Sequence, residues 1–183
     1  LTTFVLGLFY SGAMGISIPN VVVSLTFFYG GAVQFLAGVW ELVIGNTFAG
    51  TAFASYGPFW MAFGAIFVPS FGIASAYGDD TKQFGNAVGF FCLGWAVFTF
   101  LLLLVTLKTT VMFVALFLTL DLAFILLAVA NMTGNPHVTK AGGIFAVISA
   151  ICGFWNAFAG VATKENSYIT CHPLALPVFG KNK

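Results

Sequence analysis

The sequence predicts an all-α polytopic membrane protein, a six-transmembrane-helix bundle, and three observations carry that expectation. Hydrophobic residues make up 60% of the 183 and charged residues only 6%. Mean hydropathy is +1.04, outside the range of a soluble domain of this length. The apolar runs are long, repeated and nearly free of charge, whereas strands of a soluble sheet are far shorter. The alternation of apolar and polar residues that marks an outer-membrane barrel is absent.

Taken in order, Leu1 to Gly15 is apolar but short of the roughly 20 residues that a membrane crossing needs. It reads as the second half of a first helix, truncated in this chain. Ser17-Ile18-Pro19-Asn20 makes a turn, because proline cannot continue the helix. Val21 to Ile44 is the second span, with Asn20 as its cap. Gly45-Asn46 ends it, and Asn46 or Thr47 caps the next helix. The third span runs from Thr47 to about Phe71 with Pro58 and Pro69 inside, and Pro58 is expected to kink it. Gly72 to Phe84, carrying Asp79, Asp80 and Lys82, is the most polar loop.

The fourth span is about Gly85 to Leu107, where Gly85, Gly89 and Gly94 allow close helix contact. Val111 to Ala130 is the fifth and carries Asp121 at its centre. Met132 to Lys140 is a loop. The sixth, Ala141 to Ala162, carries Gly142, Ala146, Ala150, Gly153 and Ala157 at spacings of three and four, one packed face. Residues 1–162 thus form the transmembrane bundle and 163–183 a tail. An even number of spans leaves both ends on one side. Lys108, Lys164, Lys181 and Lys183 fall on that side and Lys82 and Lys140 on the other, which places both termini in the cytoplasm.

The stretch Phe27 to Trp60 organises the rest. Ser24, Phe27, Gly31, Gln34, Gly38 and Glu41 share one helical face. An amide and a carboxyl on such a face cannot point at lipid, since they would lose their hydrogen bonds to water and find no others. Past the break, Asn46, Thr47, Thr51, Ser55 and Tyr56 form a neutral run of donors and acceptors beside a helix N-terminus, which suits a carboxylate. Capping alone explains Asn46 and Thr47 but not the three deeper residues. Gln34 reads equally as a helix-to-helix hydrogen bond, and Glu41 as a side chain reaching interfacial water.

Asp121 is the most expensive residue in the chain, about +2.5 to +3.5 kcal/mol on insertion scales. Two readings stand side by side. One is a proton site facing a polar path; the other is a neutral acid bonded to Thr119, Ser149 or Asn156.

Other functions lack their residues. Net charge is +1 without any arginine, so nucleic-acid binding has no electrostatic footprint. The three cysteines share no short spacing, and His137 and His172 have no partners at metal spacing, so neither a metal nor a cofactor is expected. Asn131-Met132-Thr133 matches a glycosylation sequon, but it hugs a helix end. No Ser/His pair, HExxH, phosphate loop or cofactor fingerprint supports an enzyme. The absence of a visible internal repeat argues for a channel-like bundle over a rocking carrier.

The segments FYGGAVQFLAGVWE, GNTFAGTAFASYGPFW and LGWAVFTF, with SIPNVVV, NSYI and HPLALP of the fungal branch, resemble the acetate uptake transporter family. This family comprises bacterial succinate–acetate permeases and fungal acetate permeases linked to ammonia export. The resemblance implies a six-helix protomer assembled as a homohexamer in the plasma membrane, each protomer with a path for acetate and other small monocarboxylates. It implies a narrow point at Tyr56 and Leu120 and a size-tuning small residue at Gly153. The family's NPAPLGL motif and the phenylalanine of its narrow point would precede Leu1, so neither is carried over. Because the spans hold no lysine or arginine, the acid is expected to be held by dipoles and hydroxyls or to cross with a proton. Alternatives are an ammonia or urea channel and a sensor of acetic acid with little flux.

Overall fold

The computed structural model describes residues 1–16, 18–171 and 173–177, and among them the regular structure is helical. Helix α1 is Thr2–Ser11. Helix α2 is Val21–Val43, and α3 is Thr47–Phe67. Helices α4, α5 and α6 are Thr81–Thr106, Val111–Thr133 and Pro136–Val161. Four of these, α2, α4, α5 and α6, are long and apolar enough to cross a membrane. The 21-residue α3 is less apolar because glycine, alanine, hydroxyls and rings replace leucine and valine. It is also the helix with the densest burial, eight positions including Tyr56, Phe59, Trp60 and Phe63. A rod enclosed by protein needs small residues and shape more than bulk hydropathy.

The helices start and stop for local reasons, some of which differ from expectation. The Asn46 side chain accepts a bond from Ala49 N–H at 3.3 Å and caps α3, while Asn20 makes no capping bond. Helix α3 continues through Pro58 and ends at Phe67, because Val68 precedes Pro69 and takes extended backbone angles. Helices α4 and α6 begin several residues earlier than the hydropathy suggests. Asp80 caps α4 through Gln83 N–H at 2.8 Å. Pro136 opens α6 after Asn135, whose side chain accepts from His137 N–H.

The larger departure lies in α2. Its Phe28–Val33 turn is a π-helix, whose i→i+5 bonding inserts an extra residue. Neighbouring positions Gly30 and Gly31 consequently both face inward. A methyl group on Gly30 would meet Trp60, and one on Gly31 would meet Met61. The inward stripe runs Val22 and Thr26 before this turn, Gly30 and Gly31 within it, and Gly38 after it. Ser24, placed on that face by uniform periodicity, is exposed and bonded to Val21 O. Phe27 stacks on Phe71 instead.

Helices α2 and α3 pack antiparallel at backbone contact. Gly38 lies against the backbone of Ala54, and Gly57 against Phe35, where an added Cβ would fall 2.7 Å from the backbone nitrogen. Glycine is required at both points by the close approach. Gly85 and Gly89 bring α4 equally close to Asn131, Ala128 and Met132 of α5, while Gly94 meets nothing. Gly143 of α6 meets Tyr10 and Ser11 of α1. The tail folds back onto the α4–α5 connection, where Leu176 N–H donates to Thr109 O and Val111 N–H to Leu174 O, both 2.9 Å.

Candidate functional site

Helices α1, α2, α3, α5 and α6 line a cleft of about 550 Å³. Beside it lies a second cavity of about 40 Å³, lined by apolar side chains and Thr3. Thr3, Phe59, Trp60, Leu120 and Phe124 border both. Among the described residues, neither wall contains a charged side chain. An anion inside would find no fixed counter-charge, and burying it without one is costly.

Tyr56 lines the cleft, is only 7% exposed, and shares a 2.8 Å hydrogen bond with the Thr99 hydroxyl of α4. Its ring packs against Phe98 at 5.6 Å and Trp95 at 5.8 Å. Phe59 is the hub of the same aromatic cluster, touching Trp60 and Trp95 at 4.9 Å and Phe124 at 5.2 Å edge to face. Gly153 is also on the cleft wall, and a methyl group there would make only an ordinary 3.7 Å contact with Leu116. The small-residue face of α6 divides in two. Gly142 is buried in packing and Ala146 borders the small cavity, whereas Ala150, Gly153 and Ala157 face the cleft.

Of the expected polar lining, Gln34 is on the cleft wall. Glu41, Asn46, Thr47, Thr51 and Ser55 border neither cavity. The reason is local. Asn46 Nδ2 donates to Glu41 Oε2 at 2.6 Å, so the two close the α2–α3 corner. Helix α3 turns Ala52, Tyr56 and Phe59 inward, which leaves Thr47 and Thr51 on its exposed side and Ser55 half-buried. Further polar groups on the cleft wall come from Thr3 and Tyr29 and, on α6, from Ser149 and Asn156. The last two are tied to α5: Ser149 Oγ donates to Leu116 O at 3.0 Å and Asn156 Nδ2 to Met112 O at 3.3 Å.

Asp121 is turned away from both cavities although Leu120 beside it borders both. Successive helix residues point about 100° apart. The contacts of Gly85 with Asn131 and of Gly89 with Ala128 set Asp121 level with about Ala96 of α4. Asp121 is 6% exposed, and its Oδ1 has no hydrogen-bond partner among the described residues. Thr119, Ser149 and Asn156 all bond to backbone carbonyls, so the expected acid-to-side-chain bond is not made. Outside the bundle core, His137 is exposed, and His172 lies outside the described residues. Cys92 and Cys152 are buried free thiols.

Periodicity does not single out Phe59, Phe124 and Ser149 as lining residues. The only signal is the density of rings in SYGPFW, since which helix faces which is invisible to a single-helix pattern.

An uncharged cleft between membrane-length helices, continued by a small apolar cavity, defines a helical integral membrane protein with an internal void along its bundle. The chain belongs to the GPR1/FUN34/yaaH family, whose profile matches residues 1–178. It is 56% identical over 177 residues to "Ammonia transport outward protein 2" of Saccharomyces cerevisiae, covering 97% of this chain and 63% of that protein. It is 47% identical over 178 residues to "Acetate permease A" of Emericella nidulans, covering 92% of this chain and 60% of that protein. The chain therefore spans less than two thirds of the length of these relatives. The solved structure of the bacterial acetate channel SatP superposes with a TM-score of 0.77 at 32% identity, covering 87% of this chain and 84% of that one. This is the acetate uptake family that the sequence segments resemble.

Proposed function

We propose that this chain forms a membrane path for acetate and other small monocarboxylates, linked to protons. The observation that carries the reading is the position of Leu120. With Thr3, Phe59, Trp60 and Phe124 it stands between an uncharged 550 Å³ cleft and a small, largely apolar cavity, about 40 Å³ in volume. Such a neck favours a small uncharged species over a hydrated ion, because the Thr3 hydroxyl and the Trp60 indole are too few to replace the ion's water and no charge stands beside them. Acetic acid meets that requirement and acetate alone does not. Tyr56 and Leu120 form the narrow point in this reading, Gly153 leaves room above it, and Gln34 offers its amide to the carboxyl at the mouth. Relatives named for acetate transport and the likeness to an acetate channel support the substrate class. The same reading takes the working unit to be a homohexamer in the plasma membrane with both termini cytoplasmic, as the lysine distribution suggests.

The test is flux in proteoliposomes holding labelled acetate, ammonia or urea. Acetate entry that strengthens as the outside is acidified is expected. Passage of ammonia or urea with acetate excluded would replace this reading by a neutral-solute channel. Binding of acetic acid without flux of any of the three would replace it by a sensor.

A further inference from the structure

Three threonines of the bundle have no exposed surface: Thr26, Thr99 and Thr106. Thr26 and Thr106 satisfy their hydroxyls within their own helices, donating to Val23 O and Leu103 O at 2.7 Å. Thr99 does not. Its hydroxyl crosses from α4 to α3 and meets the Tyr56 hydroxyl at 2.8 Å, and each is the other's only side-chain hydrogen-bond partner among the described residues. A buried hydroxyl is held to a partner because leaving it unpaired is unfavourable. This contact therefore fixes the swing of the Tyr56 ring about its Cα–Cβ bond. Held there, the ring lies against Trp95 and Phe98 and shows the cleft hydrocarbon, with its polar tip turned into α4.

We propose that Thr99 is a positioning residue: its hydroxyl anchors Tyr56 back against α4 and so sets the largest acid that passes the narrow point. Thr99 borders neither cavity and acts only through Tyr56. This inference rests on the acetate-path reading above. With the anchor removed, the ring is free to lean into the cleft, which obstructs long acids more than acetate.

The experiment measures the acetate-to-butyrate flux ratio in proteoliposomes for wild type, Thr99→Val, Tyr56→Phe and the double variant, with Thr99→Ser as the conservative control. Thr99→Val and Tyr56→Phe should each raise the ratio by about tenfold, the lower end of what one methylene contributes in an apolar pocket. The double variant should add nothing, since both single changes cut the same bond. Thr99→Ser should keep the wild-type ratio. An unchanged or lowered ratio in Thr99→Val, or a double variant showing the sum of the two shifts, overturns the assignment. Thr99→Ala carries the same test should the valine variant not fold. Infrared difference spectra between each protein and its Tyr56→Phe form isolate the Tyr56 C–O stretch. That band must move in Thr99→Val, whatever the liposomes transport. Wild-type liposomes that pass no acid at all would overturn the path reading itself, whereas acid flux with a Thr99-independent ratio overturns this inference alone.

Discussion

Shortening Leu120 to alanine is the sharpest probe of the neck. The side chain borders both cavities, so removing its outer carbons merges the 550 Å³ cleft with the 40 Å³ space beyond it. Two effects of different size result. Stability falls by the transfer energy of the lost carbons plus a cavity term. Leu120 is half-buried, so the loss lies near the low end of the range for such truncations, about 2 kcal/mol. Selectivity changes more. One methylene in an apolar pocket is worth about 1–3 kcal/mol of discrimination. A neck widened by three carbons forfeits that term for propionate and butyrate while leaving acetate little affected. Competition of unlabelled propionate and butyrate against labelled acetate in proteoliposomes reads the effect directly. Longer acids should compete almost as well as acetate in the variant and poorly in wild type. An unchanged competition order in a folded, active Leu120→Ala protein would show that the route does not pass this side chain.

The same geometry sets three further outcomes. Asp121→Asn keeps shape and removes the only carboxyl buried among the described residues; because Asp121 borders neither cavity, acetate uptake should persist with its rise on acidification, and a flattened pH profile would put Asp121 in proton handling. Gly38→Val drives a side chain into the Ala54 backbone, and thermal melting in detergent should show a loss of about 1–3 kcal/mol or more as α2 and α3 are pushed apart. Asn46→Ala removes both the cap of α3 and the partner of Glu41; it should cost about 1 kcal/mol of stability and leave the acetate-to-butyrate ratio untouched, a ratio change meaning that the corner reaches the path after all.

Some of this is readable from the residues. The 60% hydrophobic content and charge-free runs place the rods. The break at Gly45-Asn46 and the cap at Asn46 fall where the chemistry of those residues requires. Gly142, Ala146 and Ala150 are buried as their spacing implies, and Tyr56, Gln34 and Gly153 do reach the cleft wall. The reading of the α2 face fails for one physical reason. A periodic pattern says which residues share a face of a straight helix, and it assumes the same turn throughout. The π turn at Phe28–Val33 breaks that assumption and sends Ser24 outward.

Local chemistry acting along the chain thus determined the class of protein, the number of rods and where each turns, because hydropathy, caps and prolines act within a few residues. Only the packed bundle decided that Leu120 faces the void while Asp121 is buried away from both cavities. Packing likewise decided that Thr51 and Ser55 border neither cavity and that the Thr99 hydroxyl meets Tyr56 across 43 positions of sequence. Those outcomes depend on which helix lies opposite which. That arrangement is set by glycine-sized approaches between distant segments, such as Gly38 on Ala54, and no single stretch of residues encodes it alone.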